Sequence, residues 1–200
     1  MKENKYDDNI FFQKYSQMSR SQQGLAGAGE WETLRKLLPD FKDKRVLDLG
    51  CGYGWHCIYA MEHGASSVVG VDISHKMLEV AKEKTHFPQV EYKCCAIEDV
   101  EFPEESFDVI LSSLAFHYVA DYEIVKKIYR ILKSGGKLVF TVEHPVFTAY
   151  GTQDWHYNEK GEILHFPVDN YYYEGKRTAV FLGEKVTKYH RTLTTYLNTL

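Results

Sequence analysis

Three alternate glycines follow an apolar run at residues 46–56, in the sequence VLDLGCGYGWH. Gly50, Gly52 and Gly54 have no side chain, so they permit the sharp turn by which a buried strand enters a helix. They also let a ligand lie directly against the backbone of the turn. Loops of this general kind bind dinucleotides, phosphates or sulfonium cofactors. The chemistry therefore depends on the spacing of the glycines and on the residues beside them.

The spacing argues against a dinucleotide. A pyrophosphate-binding turn has the pattern G-x-G-x-x-G. Here the third glycine comes one residue early, and Trp55 stands where that pattern has glycine. A nicotinamide-dependent oxidoreductase therefore stays open only as an alternative in which the spacing is misleading.

The segments that must position this loop alternate between short apolar runs and amphipathic stretches over residues 45–142. Apolar strands that are each followed by an amphipathic helix are typical of a parallel sheet covered on both faces. We therefore predict an α/β fold with a Rossmann-like, doubly wound, mostly parallel sheet. Ligands bind beyond the carboxyl ends of the strands in such a sheet, which is where the glycine loop falls.

Length and composition favour one domain over residues 1–200, with 44% hydrophobic residues and a net charge of −4. Ser74 is expected to cap a helix that starts at His75, while Gly64 and the pair Gly135-Gly136 are expected to end helices. Pro39 closes the last helix of the N-terminal segment. The expected parts are an N-terminal helical lid (1–40), a cofactor-binding core (41–144), a β-rich insertion after the fifth strand (145–186) and the start of a C-terminal helix (187–200).

Composition also excludes several classes. The pI is near 6.1 and the lysines are spread along the chain, so nucleic acid is not an expected partner. No apolar run approaches the ~20 residues that span a bilayer, and the N-terminus has no signal-peptide pattern, so we expect a cytoplasmic protein without a membrane partner. The cysteines have no metal-binding or disulfide spacing and are expected to be reduced, without a metal: Cys51, Cys57, Cys94 and Cys95.

The stretch Asp48-Leu49-Gly50-Cys51-Gly52-Tyr53-Gly54 resembles the first motif of the class I S-adenosylmethionine-dependent methyltransferases. The resemblance continues in order through VVGVDIS (68–74), FPEESFDVILSSLAFHYV (102–119) and LKSGGKLVFTVEHP (132–145), so it covers about half of the chain. Within this superfamily the chain is most similar to the small-molecule branch, of the methyltransferase type 11 kind.

The resemblance implies that S-adenosylmethionine is the cofactor and S-adenosylhomocysteine the product of in-line methyl transfer to a small molecule. It places the Asp72 carboxylate at the ribose hydroxyls, the Gly50 carbonyl at the α-amino group and Arg20 at the carboxylate of the cofactor. The other cofactor contacts that it implies are Tyr15, Asp48, Cys51, Gly52, Gly54, His56, Ile73, Ala96, Ile97, Glu98, Ser113 and Leu114.

Some of these positions have a structural alternative. The alternative for Asp72 is a turn aspartate, for Arg20 a solvated surface residue, and for Asp48 a carboxylate that holds backbone N–H groups of the loop. At the position where the family has an acid for the adenine amino group this chain has Ala96, which cannot accept that hydrogen bond. The Ile97 N–H, packing by Ile73, and Glu98 are then left to recognise the adenine.

No catalytic residue follows from the sequence. If the acceptor must lose a proton, His117, Tyr118 and His144 are candidates by position, as is His156, and each has a packing role as its alternative. The aromatic residues of the insertion suit an acceptor pocket, a hairpin core or a homodimer interface.

The last helix is not followed by the β-hairpin that completes the seven-stranded sheet of similar enzymes. Either the sequence is part of a longer chain or the sheet ends at an edge that needs a partner. This leaves open a second function, a cofactor-binding protein of the same fold without turnover.

Overall fold

The structure is a computed structural model that describes residue 2, residues 4–149 and residues 154–200. It contains two compact units, the first formed by Met1–Phe116 with Glu123–Thr141 and the second by His117–Tyr122 with Val142–Leu200. That the two units make one domain stays a prediction. Residues 150–153 of the expected insertion lie outside the described residues.

The first unit begins with short helices, as the lid prediction requires: α1 (Asn9–Ser16), α2 (Ser19–Gln22) and α3 (Trp31–Leu37). The Asp8 carboxylate accepts the N–H groups of Ile10 and Phe11 and so caps α1. Helix α3 ends before Leu38, which is extended because a proline follows it.

Five strands form the central sheet of this unit: β1 (Arg45–Leu49), β2 (Ser67–Asp72), β3 (Val90–Cys94), β4 (Phe107–Ser113) and β5 (Leu132–Thr141). Their order is β3-β2-β1-β4-β5, and every neighbouring pair is parallel. The predicted α/β fold is thus confirmed. Because the chain order reverses between β1 and β4, the carboxyl ends of these two strands lie side by side at the switch point, where such sheets bind ligands.

The helices that cross between the strands are α4 (Trp55–Glu62), α5 (His75–Lys84) and α6 (Ile124–Ile131). Cys57 and Ala60 of α4 are fully buried together with Val46 of β1 and Val68 of β2. This burial explains why the strands read as almost continuous apolar runs.

Two of the three predicted helix ends are confirmed. The Ser74 hydroxyl accepts the Met77 N–H at the start of α5, and Gly64 has φ +86° just after α4. The prediction for Gly135-Gly136 was wrong, since α6 ends at Ile131. The glycine pair lies inside β5, where the pairing with β4 shifts register, because the chain already enters the sheet at Leu132 opposite Phe107.

The second unit contains α7 (Pro145–Ala149), β6 (His156–Tyr157), β7 (Ile163–His165), β8 (Gly175–Phe181), β9 (Glu184–His190) and α8 (Leu193–Asn198). β6 pairs with β7 and β8 with β9, both antiparallel, so the predicted β-rich character of this segment is confirmed. Leu182 and Gly183 turn the second hairpin with φ of +55° and +76°. Positive φ at both central residues is characteristic of a tight hairpin turn that matches the strand twist.

The prediction of a helix from residue 187 was wrong. Residues 187–190 continue β9, and the helix spans only Leu193–Asn198. The buried face of β9 is formed by Val186, Lys188 and His190. Lys188 Nζ lies 2.5 Å from Glu143 Oε1, and the His190 ring bonds to Thr148 Oγ1 at 2.8 Å. A strand is normally predicted from alternating apolar and polar residues. The sequence of β9 lacks this alternation because two of its inward side chains, Lys188 and His190, are polar.

Among the described residues, the main sheet has five strands and the β8–β9 pair forms a sheet of its own. In the same residues no helix has both the length and the apolar character to cross a membrane.

Candidate functional site

The glycine loop connects β1 to α4 and is anchored to the neighbouring strand β2. The backbone N–H groups of Gly50 and Cys51 both donate to the Val71 carbonyl, at 2.8 and 2.9 Å. Gly50, Gly52 and Gly54 have φ of +78°, +52° and +75°, a region that L-residues with side chains avoid. The loop thus has a backbone path for which glycine is the suitable residue at all three positions.

The surroundings of the three glycines differ. A Cβ atom on Gly50 would lie 2.5 Å from the Ala115 Cβ, and one on Gly54 would lie 2.2 Å from the Tyr92 hydroxyl. A Cβ on Gly52 would meet no atom within 4 Å. Gly50 and Gly54 are therefore close-packed within the fold, whereas Gly52 faces open space in which a ligand can approach the backbone.

Asp72 lies at the carboxyl end of β2 and holds the same loop. Its Oδ2 accepts the Gly52 N–H and its Oδ1 the Ser74 N–H, each at 2.9 Å. Desolvation raises the pKa of Asp72, and the nearby Asp7 adds to this, while the backbone N–H groups of Ser74, Gly52 and Ile73 oppose it. Each carboxylate oxygen still has a second acceptor position, because an ionised carboxylate accepts about four hydrogen bonds.

A solvent-open cleft of about 480 Å³ lies beside the loop, entirely within the first unit. It is bounded by the lid segment on one side and by the loop and the end of β4 on the other. The predicted contacts that the fold brings together in its wall are Tyr15, Arg20, Gly50, Cys51, Gly52, His56 and Ser113.

The remaining predicted contacts do not line this cleft. Gly54 is packed against Tyr92, and Asp72 accepts the Gly52 N–H. Ala96 and Ile97 are buried, while Ile73 and Glu98 are half-buried. The backbone at Leu114 is left-handed, with φ +53°, and its N–H donates to the Thr141 carbonyl at 2.9 Å. A left-handed non-glycine residue at the switch point is a strained conformation of the kind found near ligand sites.

Asp48 does not have the loop-holding role that was its alternative. Its side chain is buried beneath the loop, where Oδ2 accepts the Cys57 thiol at 3.5 Å and Oδ1 has no hydrogen-bond partner among the described residues. It does not hold the loop N–H groups of Gly50, Cys51 and Gly52, which are taken by the Val71 carbonyl and by Asp72. Desolvation raises the pKa of Asp48 to about 7, although the Cys57 thiol opposes this.

The Asp48→Asn substitution is expected to stabilise the protein at pH 8 and to have little effect at pH 4. A folded-state pKa near 7, against the ordinary value of 3.8, means that the carboxyl contribution to stability is complete below pH 3.8 and is lost as the pH rises through 7. The loss amounts to as much as about 4 kcal/mol, and asparagine does not incur it. Urea unfolding of both proteins between pH 4 and 8 measures this difference.

Asp108→Asn provides a control of opposite sign. Burial raises the pKa of Asp108, but the Arg45 N–H and Lys133 outweigh it and hold the pKa below its usual value. Its removal should therefore cost stability above pH 4. A pH-independent effect of Asp48→Asn would contradict the account of Asp48 as a buried, titrating acid.

The cleft also contains residues that the sequence analysis missed. Glu30 is the residue that precedes α3, yet its side chain makes no cap hydrogen bond. Its carboxylate accepts both bonds of the Arg20 Nη2 group, at 2.9 and 2.6 Å, and the Ser113 hydroxyl at 3.2 Å. The sequence around Glu30 does not predict these contacts, because Arg20 is 10 residues away and Ser113 is 83 residues away. Ser21, Gly24, Leu25, Ala28, Tyr53 and Trp55 complete the cleft wall.

Two further side chains of the cleft are half-buried, and their pKa values are shifted. Burial lowers the pKa of His56 to about 4, since it outweighs the opposing charge of Glu30. Burial also raises the pKa of Tyr15 to about 12, although Arg20 opposes the shift. Both groups are consequently neutral at pH 7.

The candidate bases belong to the second unit. His117 is 2% exposed, and burial lowers its pKa to about 4. Its Nδ1 accepts the Glu143 N–H at 3.4 Å, and its Nε2 lies 4.0 Å from Glu143 Oε1. Tyr118 lies against the His117 ring, with 4.5 Å between the ring centroids. His144 is exposed and accepts the Val146 N–H, and His156 is exposed on β6. Within the described residues, no group of three His, Cys, Asp or Glu side chains is arranged to hold a metal ion.

Comparison with known proteins identifies the family. A family model described as a methyltransferase domain matches residues 47–140. A crystal structure of a candidate S-adenosylmethionine-dependent methyltransferase from Listeria monocytogenes is 58% identical, with a TM-score of 0.82 over 86% of this chain and 81% of that one. This chain belongs to the S-adenosylmethionine-dependent methyltransferases. Its cofactor is S-adenosylmethionine, and membership decides against the nicotinamide-dependent oxidoreductase.

Two other relatives of this methyltransferase match different shares of its chain. A crystal structure of an S-adenosylmethionine-dependent methyltransferase from Mesorhizobium loti is 41% identical, with a TM-score of 0.82 over 88% of this chain and 81% of that one. A ubiquinone biosynthesis O-methyltransferase of Coxiella burnetii is 36% identical over 54% of this chain. The match spans 47% of the Coxiella protein, about half of its length.

The cleft of this methyltransferase fits such a cofactor. The space over Gly52 admits a ligand against the backbone, and the Trp55 Nε1–H in the wall is a buried donor without a partner among the described residues. Arg20 and Glu30 add one positive and one negative charge to the wall. The donor set therefore suits a ligand that carries polar and zwitterionic groups.

Proposed function

We propose that this methyltransferase transfers the methyl group of S-adenosylmethionine to a small-molecule acceptor, with the cofactor lying along the glycine loop. The observation that carries the proposal is the open space over Gly52, between the Asp72-anchored loop and the charged lid residues. In a parallel sheet with this strand order, that space is at the expected ligand-binding edge.

The proposed contacts divide between the ends of the cofactor. Asp72 accepts the ribose hydroxyls, and the Gly50 carbonyl accepts from the α-amino group. Ile73, Ala96, Ile97 and Glu98 form the adenine side, where the Ile97 side chain approaches within 3.5 Å of the position of a Cβ on Gly50. No side chain at position 96 accepts the adenine amino group, so recognition there falls to backbone and apolar packing.

When bound, the cofactor supplies a methyl group on a positively charged sulfur, which leaves as a neutral thioether. The chain contributes positioning and exclusion of water, because no covalent nucleophile is needed. The lid segment serves this role through contacts that join it to the end of β2. Asn4 Nδ2 donates to the Ile73 carbonyl at 3.1 Å, and Asp7 Oδ1 accepts from the Ser74 hydroxyl at 2.6 Å.

A small-molecule acceptor is favoured by two observations. The Coxiella relative is named for ubiquinone biosynthesis, and the net charge of −4 gives no electrostatic attraction toward a phosphate backbone. His117, Tyr118 and His144 are kept as candidate bases for an acceptor that must lose a proton. The neutral ring of His117 at pH 7 is compatible with that role.

The proposed function is tested by S-adenosylhomocysteine release from S-adenosylmethionine across a library of phenols, amines, carboxylic acids and thiols. We expect release with at least one class and none without acceptor. A parallel set of peptides and RNA provides the competing outcome. Methylation confined to those macromolecules would overturn the small-molecule proposal.

The test variant is Gly52→Ala, whose methyl group projects into the open space over the loop. Its control is Gly29→Ala, which adds a methyl group where no atom lies within 4 Å and φ is not positive. Activity should be lost in the first and retained in the second. Equal activity of both variants would contradict the placement of the cofactor.

A further inference from the structure

The cleft wall contains an ion pair that the sequence analysis did not foresee. Both oxygens of Glu30 accept from Arg20 Nη2, and the two side chains are 21% and 25% exposed. Neither residue is a surface charge in bulk solvent, and both belong to the lid segment. Both residues line the cleft.

These are the two charged side chains among the described residues of the wall. The imidazole of His56 also lines the cleft, but burial lowers its pKa to about 4, so it carries no charge at pH 7. The cleft therefore presents one cation and one anion, side by side. An isolated cation would suit a simple anion, whereas a side-by-side pair is complementary to a group that itself carries both charges.

Glu30 is held in place by two parts of the fold. Arg20 lies on α2, and the Ser113 hydroxyl, which donates to Glu30 Oε1 at 3.2 Å, lies at the end of β4. Ser113 in turn bonds to Thr141 Oγ1 at 3.1 Å. The carboxylate is thus oriented toward the switch point instead of capping α3.

The pair has spare hydrogen-bonding capacity. Among the described residues, Glu30 Oε2 accepts a hydrogen bond from Arg20 alone, and a carboxylate oxygen has two acceptor positions. A guanidinium has five N–H donors, and both bonds to Glu30 come from Nη2. Each partner can therefore bind a group of the opposite charge without first losing the other.

We infer that Glu30 is a specificity-determining residue that binds the α-ammonium group of the cofactor, while Arg20 binds its α-carboxylate. This inference rests on the proposed placement of the cofactor along the glycine loop. The amino-acid end of the cofactor has its ammonium group and its carboxylate group attached to the same carbon atom, so the two ion pairs form together. Charge-assisted hydrogen bonds of this kind are stronger than neutral ones.

A competing role for Glu30 predicts the opposite result. If Glu30 only occupies Arg20 until the cofactor arrives, its removal frees the guanidinium and tightens binding. If Glu30 acts as an ammonium receptor, its removal weakens binding. The direction of the change therefore decides between the two roles.

The experiment measures binding by calorimetry with S-adenosylhomocysteine and with an analogue that lacks the α-amino group. We expect Glu30→Gln to weaken binding of S-adenosylhomocysteine by about 10-fold or more, and to change binding of the desamino analogue by less than about threefold. Wild-type protein should prefer S-adenosylhomocysteine to the desamino analogue by at least a similar factor, because the Gly50 carbonyl is also proposed to accept from the α-amino group.

Glu32→Gln is the matched control, because Glu32 lies two residues away, is 71% exposed and pairs only with Arg35 among the described contacts. It should leave both affinities unchanged. Tighter binding by Glu30→Gln, or an equal loss with both ligands, would overturn the inference while leaving the proposed function intact. Failure of the wild-type protein to bind S-adenosylhomocysteine would instead contradict the proposed function itself.

Discussion

Asp72→Ala is expected to weaken binding of S-adenosylhomocysteine by about 100-fold, or ~3 kcal/mol. Each Asp72 oxygen already accepts one backbone N–H, from Gly52 or Ser74, and retains one position for a ribose hydroxyl. The substitution removes both charge-assisted bonds to the ribose and releases the loop at Gly52. Calorimetric titration of wild-type protein and variant measures the loss.

Two comparisons separate ribose recognition from general disruption. Asp7→Ala removes an acceptor for the Ser74 hydroxyl and the Lys76 N–H at the same helix start but leaves the Asp72 carboxylate. It should change affinity far less. A 2′-deoxy analogue should bind wild-type protein more weakly than S-adenosylhomocysteine, and Asp72→Ala should no longer distinguish the two. An Asp72→Ala variant that binds as tightly as wild-type protein would disprove the ribose assignment.

Gly54→Ala should lower the free energy of unfolding by about 3 kcal/mol, through two independent costs. The residue has φ +75°, and its new Cβ would lie 2.2 Å from the Tyr92 hydroxyl, which also bonds to Thr85 at 2.7 Å. Gly52→Ala has only the backbone cost, about 1 kcal/mol, since its Cβ meets no atom. Chemical denaturation compares the two variants.

Gly52→Ala, which costs less stability than Gly54→Ala, should have a large effect on cofactor affinity. The Gly52→Ala methyl group projects into the space that the cofactor is proposed to occupy, so a folded variant should bind S-adenosylhomocysteine at least about 50-fold more weakly. Gly29→Ala, with no close atom and no positive φ, should change neither stability nor affinity by much. If Gly52→Ala kept full affinity, the cofactor would have to lie elsewhere.

Much of the first unit could be predicted because its signals are local. The parallel sheet and the turn at Gly50, Gly52 and Gly54 follow from apolar periodicity and from backbone conformations that suit glycine. Asp72 was predicted as a site residue through its position at the end of β2, and the fold places its carboxylate on the Gly52 N–H. Its contact with the cofactor stays a prediction.

Other features depended on partners that are far away in the chain. The sequence left open whether Asp48 contacts the cofactor or holds the loop N–H groups, but the Val71 carbonyl and Asp72 take those donors and Asp48 lies in the core. The sequence around Lys188 shows no strand pattern, because its burial depends on Glu143, 45 residues away. A buried charge has the appearance of a surface residue until its counter-charge is located.

The sequence by itself determined the parallel sheet, the glycine loop and the family, since these rest on periodicity, spacing and backbone stereochemistry that neighbouring residues impose. Only the tertiary structure decided which polar groups are buried, which glycine faces open space, and that Glu30 joins Arg20 and Ser113 in the cleft. The physical reason is that desolvation and hydrogen-bond pairing depend on distances between side chains. Those distances are established only when the lid segment, the loop and the end of β4 meet at the switch point of the sheet.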